Sequence, residues 1–175
     1  MRALLRRLAA LPVLFGLVAG TASAQDPPTP DVFHQFVAIG SLLCTEAPSR
    51  DCLDHGWQFA DANGDGHLDL AELQAVRSGF LDWSGNMQDS LSGKQRTVLH
   101  LSRGLARIAP LSSVFSLYDT DGDGRLSKEE LTADVQLDER PMAQVLMDRE
   151  ATDWAAIRGR LGRAATLLQL LGAPE

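Results

Sequence analysis

Apolar residues recur at helical spacing along most of the chain. Val32, Phe33, Phe36, Val37 and Leu43 form one face of a predicted first helix, with Thr29 placed to cap it and Pro30 in its first turn. Ala47-Pro48-Ser49 breaks this helix, and Leu53, Trp57 and Ala60 mark a second. The period resumes at Leu70, Leu73 and Val76, then stops at residues 78–93, SGFLDWSGNMQDSLSG. Three glycines and four serines there predict a connecting loop that buries Phe80 and Trp83 as anchors. Ser92 with Gln95 predicts a capping box opening a helix over about 94–109, carrying Val98, Leu101, Leu105 and Ile108. Pro110 starts a short helix ending at Tyr118. Val135 and Leu137 suggest a brief extended piece, and Trp154, Ile157, Leu161, Ala165 and Leu168 line one face of a last helix over about 153–171. The predicted class is all-α.

Residues 1–24 stand apart. Arg2, Arg6 and Arg7 precede an apolar run from Leu8 to Ala19, interrupted by Pro12 and followed by Ala22-Ser23-Ala24, which reads as a secretory signal peptide rather than a membrane span. The remainder of a twin-arginine signal is absent around Arg6-Arg7. Residues 25–30, QDPPTP, predict an extended leader, and residues 31–175 a single domain. The expected location is the periplasm or the secreted space, with no membrane span after cleavage. Loss of the three leader arginines takes the net charge from -7 to -10. So acidic a chain argues against nucleic acid as a partner and points to cations. Two cysteines in an exported chain, Cys44 and Cys52, favour a disulfide, and Pro48 between them lets the chain turn back.

Within this frame a twelve-residue pattern occurs twice, DANGDGHLDLAE at 61–72 and DTDGDGRLSKEE at 119–130. Both fit D-x-[DN]-x-[DN]-G-x5-E. Asp61, Asn63 and Asp65 alternate so that a tight turn can aim their oxygens at one centre, as can Asp119, Asp121 and Asp123. Gly66 and Gly124 allow the bend. At position nine Asp69 and Ser127 can cap the departing helix, and Glu72 and Glu130 stand at the capping-box spacing. Leu68 and Leu126, both at position eight, are placed to pair through a short strand.

These two segments resemble the EF-hand calcium-binding family. The resemblance implies two helix-loop-helix units with additional flanking helices and two bound Ca²⁺ ions. It assigns the ligands to Asp61, Asn63, Asp65, the His67 backbone carbonyl, Asp69 and Glu72 in one loop. In the other they are Asp119, Asp121, Asp123, the Arg125 backbone carbonyl, Ser127 and Glu130. Glu72 and Glu130 would each offer both carboxylate oxygens. All donors are oxygens, which disfavours Zn²⁺ and Cu²⁺. Ala62 and Thr120 occupy position two, where the lanthanide-selective periplasmic EF-hand proteins carry proline, so calcium is the expected ion. Asp61 and Asp119 lie 58 positions apart, against about 36–40 for adjacent hands, and the helix at 94–109 supplies the surplus.

The remaining features point to binding rather than catalysis. No nucleophile elbow, H-E-x-x-H or phosphate-cradling loop is present, and His34, His55 and His100 have no partner at ligand spacing. Met87, Met142 and Met147 read as core fillers, and Arg158, Arg160 and Arg163 as a polar face paired with acids of the same chain. The expected function is an exported calcium-binding protein serving as a sensor or interaction module for an unidentified protein partner. A calcium buffer or calcium-stabilised structural domain is the alternative, ahead of a lanthanide-binding protein or a calcium-dependent enzyme.

Overall fold

The computed structural model describes residues 26–87, 92–108 and 110–162. Residues 1–24, read from the sequence as a signal peptide, with Gln95, Val98, and Arg163, Ala165 and Leu168 of the last predicted helix, lie outside the described residues or side chains. Among the described residues there are eight helices: α1 Pro30–Glu46, α2 Ser49–Ala60, α3 Leu70–Asn86, α4 Gly93–Ile108, α5 Leu111–Tyr118, α6 Lys128–Leu131, α7 Met142–Met147 and α8 Trp154–Leu161. The fold is all-α. Among the described residues two isolated antiparallel bridges join the loops, Leu68 with Leu126 and Val135 with Thr152.

Two apolar centres organise the helices. In the first, Trp57 and Ala60 of α2, Phe115 of α5 and the loop residues Leu68 and Leu126 are buried together, with Leu70, Leu73, Val76 and Tyr118 packed around them. In the second, α1 inserts Phe33 among Phe36, Phe59, Phe80 and Trp83, with ring centroids 5.3–6.1 Å away. Phe36 in turn stacks on Phe59 and on His55, whose Nε2 lies 3.0 Å from the Phe36 carbonyl. Edge-on and offset ring pairs of this kind contribute about 0.5–1.5 kcal/mol each beyond their buried area. Thr29 caps α1 as its sequence predicts, accepting from the Val32 amide, and Pro30 lies in the first turn. Val32 is nevertheless 49% exposed, because the face chosen by Phe33 turns it outward.

The predicted loop over 78–93 is the main departure from the sequence reading. Helix α3 continues through Asn86, carrying Phe80 and Trp83 on to Phe33. The small residues are there for close approach rather than for a break. A Cβ on Gly79 would sit 2.6 Å from the Pro28 ring, so the leader crosses the helix where it has no side chain. Ser84 is fully buried, with its hydroxyl turned back to the Leu81 carbonyl and its own carbonyl accepting from Arg103 of α4. α4 starts one residue earlier than predicted and leaves Leu101 partly exposed and Ile108 70% exposed. Its hydrogen bonds to α3 include those of Arg103 and of the Arg107 carbonyl, which accepts from Arg77. Met147, predicted to fill the core, is 64% exposed at the end of α7, while Val145 takes the buried position.

Cys44 and Cys52 form a disulfide that joins the end of α1 to the start of α2. Beside it Ser49, completely buried, clasps a segment 89 positions away. Its hydroxyl donates to the Asp138 carbonyl and accepts from the Asp138 amide, both at 2.9 Å, and its amide donates to the Arg140 carbonyl at 2.8 Å. Arg140 then pairs with Asp138 and Asp148. Substitution Ser49→Ala removes one donor and one acceptor from a dry site, leaving the Asp138 amide without its partner. The expected loss is about 1–3 kcal/mol of stability, read as a lower denaturation midpoint at unchanged slope.

Candidate metal centre

Both predicted loops form, and they meet. The Leu68 amide donates to the Leu126 carbonyl at 2.9 Å and the Leu126 amide to the Leu68 carbonyl at 2.8 Å, so the insertion of α4 between the hands does not separate them. Both leucines are 3% exposed, which anchors the bridge in the first apolar centre. Helices α2 and α3 flank one loop, α5 and α6 the other. The Trp57 and Phe115 carbonyls accept from Asp61 and Asp119, closing the entering helices where the ligand positions begin.

Within each loop carboxylates and amides fold the chain around a common centre. The Asp65 amide donates to Asp61 Oδ1 and Asn63 Oδ1, the Gly66 amide to Asp61 Oδ2, and the His67 amide to Asp65 Oδ1. In the second loop the Asp123 amide donates to Asp121 Oδ1, the Gly124 amide to Asp119 Oδ2, and the Arg125 amide to Asp123 Oδ1. Such turns need left-handed backbone twice per loop. Gly66 and Gly124 both have φ of 81°, as their position predicts, and Gly64 and Gly122, at 72° and 74°, share the task.

The acid at position twelve ties each loop shut. Glu72 Oε1 accepts from the amides of Ala62 and Asn63 and Oε2 from the amide of Asp69, whose carboxylate in turn accepts from the Glu72 amide. Ser127 and Glu130 make the same capping box, and the Thr120 amide closes on Glu130 Oε1 at 2.8 Å. Thr120 adds its hydroxyl at 3.0 Å, a contact that its place in the pattern did not disclose. Glu72 is 1% exposed, an almost fully buried charge held by three backbone donors.

The loops are not equivalent. Asp61 has both oxygens engaged by amides, whereas Asp119 Oδ1 is buried and has no hydrogen-bond partner. One carboxylate oxygen from each of Asp119, Asp121 and Asp123 falls within 4.8 Å of the others. In the first loop the Arg125 guanidinium reaches across from the second, 3.3 Å from Asp65 Oδ2. The loop pattern assigns position seven only a backbone role, so this contact lies beyond its reach. His67, the equivalent residue, places Nδ1 3.3 Å from the Asp65 carbonyl of its own loop.

With this geometry in place, comparison with known families is direct. Residues 58–76 and 111–135 match the family model of the EF hand. The chain thus carries two segments that match the EF hand, a calcium-binding motif. No curated protein and no solved structure matches it.

The amides of Ser127 and Thr120, with the Ser127 and Thr120 hydroxyls, hold the Glu130 carboxyl down to about 2 from an ordinary 4.5. A depressed acid stabilises the folded state in its ionised form. This contribution is complete above 4.5 and is lost as the pH falls through about 2. Carbon-detected NMR titration of the metal-stripped protein is expected to place the Glu130 midpoint near 2; a midpoint near 4.5 would mean that the loop closes only around an ion.

Proposed function

We propose that this protein is an exported calcium-binding protein that takes one Ca²⁺ in each of its two paired loops. The observation that carries this reading is the buried, unpartnered Asp119 Oδ1 among the gathered oxygens of Asp119, Asp121 and Asp123. A buried anionic oxygen without a donor is costly, and three carboxylates so close repel one another unless a cation joins them. The donor set fits a hard ion. Asp61, Asn63, Asp65, the His67 carbonyl, Asp69 and Glu72 would hold one Ca²⁺, and Asp119, Asp121, Asp123, the Arg125 carbonyl, Ser127 and Glu130 the other. Glu72 Oε2, with one amide donor, keeps a lone pair for a metal, whereas Glu72 Oε1 and both Glu130 oxygens already accept two or more bonds, some of which a bidentate ion would replace.

Export rests on the leader-like residues 1–24 and is supported by the Cys44–Cys52 disulfide, which suits an oxidising compartment such as the periplasm or the secreted space. No catalytic set emerges from the sequence, and the reading is of a binding protein rather than an enzyme.

Between a sensor and a calcium-stabilised domain, the second hand favours the latter. Its exit helix α6 has four residues, and the chain beyond it is pinned at once. Gln136 donates to the Ala151 carbonyl and Asp153 to the Asp134 carbonyl, around the Val135–Thr152 bridge. A sensor hand works by swinging a long exit helix, and this one has little to swing. The sensor reading draws on an apolar hollow of about 340 Å³, lined by residues including Leu53, Trp57, Leu131 and Met142, which is a surface a partner can use.

Calorimetry of the metal-free chain 25–175 is expected to count two Ca²⁺ sites, with Glu72→Gln and Glu130→Gln each removing one. Retention of two unchanged sites in either variant overturns the ligand assignment. With Ca²⁺ at about one hundred times Kd, each site adds about 2.7 kcal/mol to stability. Fluorescence of an apolar-surface dye is expected to fall or stay level on titration with Ca²⁺ against a Mg²⁺ control, whereas a calcium-specific rise would establish the sensor.

A further inference from the structure

Arg125 faces both loops at once. Its amide is bound to Asp123 inside the second loop, and its neighbour Leu126 forms the bridge between loops, while its guanidinium lies 3.3 Å from the position-five carboxylate of the first loop. The arrangement runs one way. The corresponding residue of the first loop, His67, turns toward its own loop, and among the described residues Asp119, Asp121 and Asp123 make no ion pair. The loop with the tethered cation is also the one whose Asp61 oxygens are both satisfied by amides, and the loop without it holds the unpartnered Asp119 oxygen.

From this we infer that Arg125 is a built-in counter-ion which makes the two sites unequal, lowering the affinity of the first loop for a divalent cation so that the second loop fills first. The inference rests on the two-ion reading above and adds to it an order of occupancy. A cation entering the first loop must share Asp65 with the guanidinium, or displace it, and meets its positive charge at short range. The Arg125 and Asp65 side chains are 53% and 37% exposed, so water screens this repulsion and keeps it modest. At such separations the expected weakening is about 3- to 10-fold in Kd. Arg125 is a positioning residue: its side chain acts on Asp65, and only its carbonyl is assigned to an ion.

The test isolates one loop at a time by calorimetry with Ca²⁺. In a Glu130→Gln background, which leaves the first loop, Arg125→Gln is expected to tighten binding by about 3- to 10-fold, and Arg125→Lys to leave it nearly unchanged. The gain should shrink as salt rises from about 0.05 to 0.5 M. In a Glu72→Gln background, which leaves the second loop, Arg125→Gln is expected to change Kd by less than about 2-fold, because position seven contributes a carbonyl. First-loop affinity that is unchanged or weaker in Arg125→Gln would overturn the inference and make Arg125 a brace for Asp65. Equal gains in both backgrounds would overturn it too, as a general charge effect. If neither background nor the parent protein takes up Ca²⁺, the calcium reading itself fails, and this one with it.

Discussion

Two backbone hydrogen bonds between Leu68 and Leu126 hold the molecule's function together. They are short, reciprocal and seated in the apolar centre made by Trp57, Ala60 and Phe115, so water cannot compete for them. The acidic residues of both loops are arranged around that pair. Without it each loop would be an isolated acidic turn on its own helix pair, and no residue of one could act on the other. The bridge thus turns two separate turns into one centre with two halves, and it does so across an intervening helix, α4.

That centre is built to carry negative charge before any ion arrives. Backbone amides brace the carboxylates of Glu72 and Glu130, and glycines at positive φ let the chain curl tightly enough to deliver those amides. The bracing is complete at Asp61 and incomplete at Asp119. Apolar packing on one side and unspent oxygen on the other is the division of labour that makes a loop both stable and receptive.

The loops were legible in the sequence because their chemistry depends on residue type at fixed spacing, and spacing survives without coordinates. The capping boxes at 69–72 and 127–130, the bends at Gly66 and Gly124 and the leucines at position eight were all of this kind. What escaped was decided by neighbours distant in the chain. Gly79 and Ser84 look like helix breakers until Pro28 and Arg103 are seen lying against them. Val32 fits the helical period of α1, yet the aromatic cluster around Phe33 fixes which way that helix is turned. Arg125 was assigned through its backbone, and nothing in a linear pattern says where a long side chain comes to rest.

The clasp between Ser49 and Asp138 bears on the order in which the chain can mature. A contact spanning 89 positions closes late, since ring closure of that length must be met by contacts already formed. Synthesis from the N-terminus delivers the first hand well before residue 138. During that interval the start of α2 is secured locally by the disulfide, but its buried serine has nothing to hold. Calcium taken up early by the first loop would therefore meet a half-anchored helix. The protein reaches its final rigidity only when its last third has emerged and returned to the place where α2 begins.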